Sequence, residues 1–223
     1  MREETLANGE YYHIYNRGVD KRSIVQDRYD SSRFVESLSA FNTLEPIGSI
    51  FEKNRKKKID SKHKNTRIRP LVNIVAFCLN PNHFHLILEQ VEDVGISKFM
   101  RSLTGGYSWY FNNRYKRSGP LFQGPFKAKH IDSNEYLLHV STYVNLNDKV
   151  HRVGHQVANK LVKSSWNEYL SPEKLGTCKK DIILKQFKSP GEYENYALKM
   201  LPEFLHKKEE EKEIAELLIE EEC

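Results

Sequence analysis

Residues 71–90 constrain this chain more than any other stretch. Leu71 to Leu79, LVNIVAFCL, is a nearly continuous apolar run with β-branched members, the pattern of a buried central strand. Asn80-Pro81-Asn82 is a turn signal. His83 to Gln90, HFHLILEQ, alternates and reads as the returning strand. Residues i and i+2 of a strand share a face. His83 and His85 therefore project together, while Phe84, Leu86 and Leu88 project to the other side. At a rise of ~3.3 Å per residue, the two imidazoles stand about 6–7 Å apart and can converge on one cation. A bare His-x-His is weak by itself, because two unrelated surface histidines are the commoner case.

The neighbouring segments supply the rest of a sheet. Residues 11–26, YYHIYNRGVDKRSIVQ, suggest two short strands about a turn at Asn16-Arg17-Gly18. Residues 30–43 read as a helix, with Phe34, Leu38 and Phe41 at helical spacing behind Asp30 and Ser31. Residues 44–69 are polar and basic, a loop or a basic helix extension. Ile96 to Tyr115 reads as a helix weakened at Gly105-Gly106. FKAKHI at 126–131 is a short strand, and Asp132 with Glu135 marks the start of a helix running to Asn147. Further helices are expected near 179–188 and 191–206, then a Glu-rich amphipathic stretch. The order predicts an α+β fold: a central antiparallel sheet with helices on one face and a C-terminal helical extension. We expect a catalytic domain over 1–150, an extension packed on it over 151–202, and an acidic tail over 203–223.

Composition narrows the function classes. The chain has 223 residues, 39% of them hydrophobic, enough for one core. The apolar runs are too short to span a membrane, and MREETLANGEYY lacks the apolar core of a secretory leader. Three widely spaced cysteines argue against a disulfide framework and suit a reducing cytoplasm. Net charge is +5, but unevenly spread. Residues 52–69 carry nine Lys/Arg against two acids, and residues 203–223 carry nine Glu against three Lys. So basic a body suggests a polyanionic partner, nucleic acid first.

On the expected helix 135–147, Leu137, Val140 and Val144 form an apolar stripe. His139, Tyr143 and Asn147 are spaced by four and share another. A phenol and an amide could thus both reach a centre held by the histidines, although a tyrosine half-buried at a helix–sheet seam is the simpler reading. Walker-type and GxGxxG phosphate loops, GxSxG and CxxC are absent from the sequence, and its acidic residues are not clustered as a DDE-type or two-metal carboxylate site would need.

Three segments in this order resemble a known family. YHIYNRGVDKR at 12–22, NPNHFHLIL at 80–88 and SGPLFQGPFKAKHIDSNEYLLHVSTYVNLN at 118–147 are similar to the single-tyrosine HUH transposases, specifically the REP-associated tyrosine transposases related to small insertion-sequence transposases. The resemblance covers roughly residues 10–170. It departs from the family at Asp148, where a proline is usual, and at Pro125, where an arginine is frequent.

The resemblance implies a ferredoxin-like or RRM-like sheet and a metal-dependent endonuclease and strand transferase acting on single-stranded or hairpin DNA. It makes His83, His85 and Asn147 ligands of Mg²⁺ or Mn²⁺, and Tyr143 the nucleophile that forms a 5′-phosphotyrosine. Tyr136, nearly two turns before Asn147, does not occupy the matching position. Candidate DNA contacts are Arg17, Lys53, Arg55, Lys56, Lys57, Lys58, Lys127 and Lys129, with Tyr12, Trp109 and Phe122 as stacking candidates. Monomer and homodimer are both open. Two competing readings remain: a metal-dependent phosphodiesterase without a covalent step, and a domesticated protein that binds hairpin DNA or RNA without cutting.

Overall fold

The computed structural model describes residues 5–45, 47–59, 69–151, 161–173 and 176–220, with side chains at all of these except 56–59 and 211–220. Five antiparallel strands form one sheet in the order β4-β1-β3-β2-β5. They are β1 (Tyr11–Arg17), β2 (Val72–Leu79), β3 (His83–Gln90), β4 (Lys127–Ile131) and β5 (Lys163–Ser164). The helices are α1 (Arg28–Ala40), α2 (Ile50–Ile59), α3 (Gly95–Arg114), α4 (Asn134–Asn145), α5 (Asn147–Val150), α6 (Trp166–Leu170), α7 (Asp181–Leu184) and α8 (Pro190–Glu220). The run β1-α1-β2-β3-α3-β4 is the βαββαβ order of ferredoxin-like folds, with α2 inserted after α1. The expected α+β fold with a central antiparallel sheet is the observed one.

Helices cover both faces of this sheet, where one face was expected. On the first, Phe34 and Leu38 of α1 and Phe99, Leu103 and Tyr107 of α3 pack on Ile14, Phe84, Leu86 and Leu88. On the second, Leu137, Val140 and Val144 of α4 pack on Ala76, Cys78 and Ile87, joined by Tyr169 of α6 and Tyr193 of α8. The reason is legible in β2. An unbroken apolar strand needs a cover on each side, and seven of its eight residues are buried. A register shift between Ile74 and Ala76 turns Val75 as well as Ala76 toward the second face.

Three local expectations are corrected. Residues 11–26 do not pair with each other: β1 pairs with β3 and β4, and a 3₁₀ turn at Val19–Lys21 follows it. Gly18 has an ordinary φ of −61°; a Cβ there would lie 2.1 Å from the Arg22 carbonyl oxygen, so the glycine serves close approach. Helix α1 starts earlier than expected, capped by Asp27, whose carboxylate accepts from the Tyr29 and Asp30 backbone N–H groups. Helix α3 runs unbroken through Gly106, where a Cβ would meet the Phe41 ring at 2.6 Å; the glycine lets Phe41 press against the helix. Among the described residues no helix is long and apolar enough to cross a membrane.

Candidate active site

Strand β3 places His83 and His85 on the second face, as its alternation requires. Phe84, Leu86 and Leu88 behind them are fully buried in the first core. The register sets Tyr15 of β1 opposite His85 and Arg17 opposite His83. Helix α4 crosses this face. Ser133, not Asp132, caps it by accepting from the Tyr136 N–H, and its apolar stripe fixes its rotation, leaving Tyr143 on the flank. The Tyr143 ring stands edge-on to His85 at 5.5 Å and to His13 at 6.2 Å, measured between centroids. Helix α4 ends at Asn145, two residues short of expectation. Leu146, at φ −105° and ψ 12°, turns the chain, and Asn147 opens the single-turn α5.

That turn directs Asn147 into the sheet. It is fully buried, and its Oδ1 lies 3.1 Å from His83 Nε2. Asn80, also fully buried, donates its Nδ2 hydrogens to Asn147 Oδ1 at 2.6 Å and to His83 Nε2 at 2.9 Å. On the other side of the ring, His83 Nδ1 lies 2.7 Å from Asn82 Oδ1. An amide oxygen only accepts, so Nδ1 carries the hydrogen and Nε2 keeps its lone pair. His83 Nε2 and Asn147 Oδ1 are then two neighbouring acceptors, both served by the Asn80 amide. Asn147 Nδ2 has no hydrogen-bond partner among the described residues.

His85 Nδ1 pairs with His13 Nε2 at 2.9 Å, with the rings stacked. When Nδ1 is the donor, His85 keeps a lone pair on Nε2, the usual way in which a neighbour sets a ligating tautomer. Burial disfavours the charged imidazolium. It pushes His83 and His13 down to about 4, with His151 and Lys129 respectively adding like-charge repulsion, and lowers His85 further below the ordinary range. All three rings are neutral at physiological pH, the form that binds metals. His83, His85 and His151 each bring a ring nitrogen within 4.8 Å of the other two. The donor set therefore fits a divalent cation.

Around these rings lies a cavity of about 520 Å³. Arg17, Lys21, Lys127 and Lys208 line it, and among the described residues no carboxylate does. Such a basin attracts phosphates. Arg17 is held by Gln123, which accepts from its Nε at 2.7 Å.

The other sequence candidates lie elsewhere. Lys129 stands over the Tyr136 ring, 5.1 Å from its centroid, outside the cavity lining. Helix α2, with Lys53 and the exposed Arg55, is tied to α1 through Asn54 Nδ2, which donates to Glu36 at 2.8 Å. It therefore belongs to the opposite layer from the histidines. The side chains of Lys56, Lys57 and Lys58 lie outside the described residues. Of the stacking candidates, Tyr12 and Phe122 are core residues and only Trp109 is exposed. His139 turns away to Phe204, at 5.0 Å, and to Glu203.

Sequence reasoning missed six residues, one of them Lys21 in the 3₁₀ turn. His13 alternates with the buried Tyr12 and Ile14, a signal as strong as the one used for His85. His151 continues the four-residue spacing of Tyr143 and Asn147. Asn80 sits in the turn motif itself. Nothing local in the sequence marks Lys208 or Phe204 of α8; Phe204 packs edge-on against Tyr143 at 5.4 Å.

Histidines and a tyrosine converging in a basic cavity on a ferredoxin-like sheet define a class of site suited to phosphodiester chemistry. Residues 48–147 match the family model described as "Transposase IS200 like", so this stretch is similar to the IS200-like transposases. The match takes in His83, His85 and Tyr143 and ends on Asn147. A solved structure described as a REP-associated tyrosine transposase bound to a REP hairpin resembles the chain at 13% identity and a TM-score of 0.47, covering 79% of this chain and 88% of that one. Among curated proteins none matches the chain.

Proposed function

We propose that the protein is a metal-dependent endonuclease and strand transferase of the single-tyrosine HUH type, acting on single-stranded DNA beside a hairpin. The observation that carries the reading is the convergence of Tyr143, His83 and His85 on one cavity lined, among the described residues, by cations and no carboxylate, with Asn147 buried against His83. Transposition by an IS200-like domain supplies the reaction class.

Each residue then has a task. His83, His85 and Asn147 would hold a divalent ion, which when bound neutralises a phosphate oxygen and makes phosphorus more electrophilic. Arg17, Lys21, Lys127 and Lys208 hold the flanking phosphates. The Tyr143 Oη attacks phosphorus; its P–O bond forms as the bond to the 3′ oxygen breaks. The phenolic proton leaves, and the released 3′ oxygen takes up a proton to become a hydroxyl. The enzyme retains a 5′-phosphotyrosine. Attack by a 3′-hydroxyl reverses the exchange, so rejoining needs no external energy. Residues 1–150 carry every ligand and the nucleophile in this reading, with α8 lying against them.

The test uses the full chain, Mn²⁺ and 3′-labelled hairpin DNA with single-stranded flanks. A covalent adduct should appear on a denaturing gel and vanish in Tyr143→Phe. Cleavage without an adduct would favour the phosphodiesterase reading. Salt-sensitive binding without cleavage would favour the binding-only one.

A further inference from the structure

We propose that His151 is a ligand of the bound cation, so that three imidazoles rather than two make up the donor set; this rests on the metal-dependent reading above. Three observations converge on it. The ring nitrogens of His83, His85 and His151 lie within 4.8 Å of one another. The His151 ring stands edge-on to His83 with centroids 4.5 Å apart. The backbone holds it there: α5 is one turn long, and the His151 N–H closes that turn on the Asn147 carbonyl at 3.1 Å. Residues four apart share a helix face, so the turn that buries Asn147 beside His83 brings His151 to the same place.

The consequence is a change in metal preference. Donors about 2.0–2.1 Å from one ion in a tetrahedral set stand about 3.4 Å apart. His151 is only half-buried, so its side chain has room to move toward the other two. Imidazole suits Zn²⁺, Ni²⁺ and Co²⁺, whereas Mg²⁺ keeps oxygen ligands and several waters. A site of two histidines and an amide oxygen leaves room for Mg²⁺ or Mn²⁺. A third imidazole moves the optimum to the later first-row metals.

Calorimetric titration of metal-stripped full-length protein with Co²⁺ and with Mg²⁺ tests this. The wild type should bind Co²⁺ at least about tenfold more tightly than Mg²⁺. His151→Ala should weaken Co²⁺ by roughly ten- to hundredfold and leave Mg²⁺ unchanged; His83→Ala should lose both. Unchanged Co²⁺ affinity in His151→Ala, with loss in His83→Ala, overturns the role of His151 and leaves the two-histidine site standing. Unchanged affinity in both variants overturns the proposal together with the metal reading. A measurement free of substitutions stands beside these. The Co²⁺-loaded wild type should show three paramagnetically shifted, exchangeable imidazole N–H resonances; two would contradict the proposal.

Discussion

The two faces of β3 are built from alternate residues of one eight-residue strand, yet they obey different physics. Phe84, Leu86 and Leu88 enter a dry core under α1 and α3, where each is fully buried among apolar neighbours. His83 and His85 enter a polar cavity under α4 and α5, where their contacts include ring nitrogens, amides and a phenol. The first face supplies stability and the second holds neutral imidazoles at a cost in stability. A strand can do both because its side chains alternate with a period of two, so neither face has to compromise the other.

Substitutions should therefore separate along that alternation. The largest expected effect lies on the polar side. Tyr143→Phe should reduce covalent adduct by at least about 10³-fold, as expected on losing a nucleophile, with its melting temperature little changed. On the apolar side, Phe84→Ala should cost about 3–5 kcal/mol in chemical denaturation. His83→Ala, one residue away, should cost about 1 kcal/mol or less while abolishing metal binding. Equal destabilisation by the two would break the comparison.

The polar face should also reveal itself through pH. His13 and His83 titrate at about 4 in the folded protein, against 6.5 for an ordinary imidazole. Between those values the unfolded chain takes up protons that the folded site refuses. Stability of the metal-stripped protein is therefore full above pH 6.5 and should fall as pH drops toward 4. His13→Gln should flatten that fall in a series of thermal melts. A profile identical to the wild type would mean that burial does not hold the ring neutral. The smallest effect is expected at the cavity rim. Lys208→Ala should weaken DNA binding several-fold and reduce the salt slope by about one, measured by anisotropy across salt concentrations.

The first face was readable from sequence because hydrophobic periodicity reports burial directly; Phe34, Leu38, Phe99 and Leu103 all fall where their spacing puts them. The second face was only partly readable. The alternation of HFHLILEQ placed His83 and His85 together, and helical spacing kept Tyr143 off the apolar stripe. The partners of His13 and Asn80 could not be read, because His85 and Asn147 lie 72 and 67 residues away and are brought in by strand pairing and by the turn into α5 respectively. The contribution of α8 was hidden for the same reason. Its Glu-rich composition marks a solvated helix, yet Phe204 and Lys208 on one side of it reach Tyr143 and the cavity. Helical spacing pointed to a helix reaching Asn147, whereas Leu146 bends the chain first; a bend imposed by tertiary packing leaves no mark on periodicity.

Tyr15 shares the cavity with Tyr143 and stacks on His85 at 5.9 Å, so it is the rival that the geometry itself offers. The measurement that bears most directly on the account is peptide mapping of the trapped protein–DNA adduct by mass spectrometry. The account predicts the nucleotide phosphate on Tyr143, on the peptide that also carries Asn147. A phosphate on Tyr15 or Tyr136, or no modified tyrosine from protein that has cut its DNA, would contradict it.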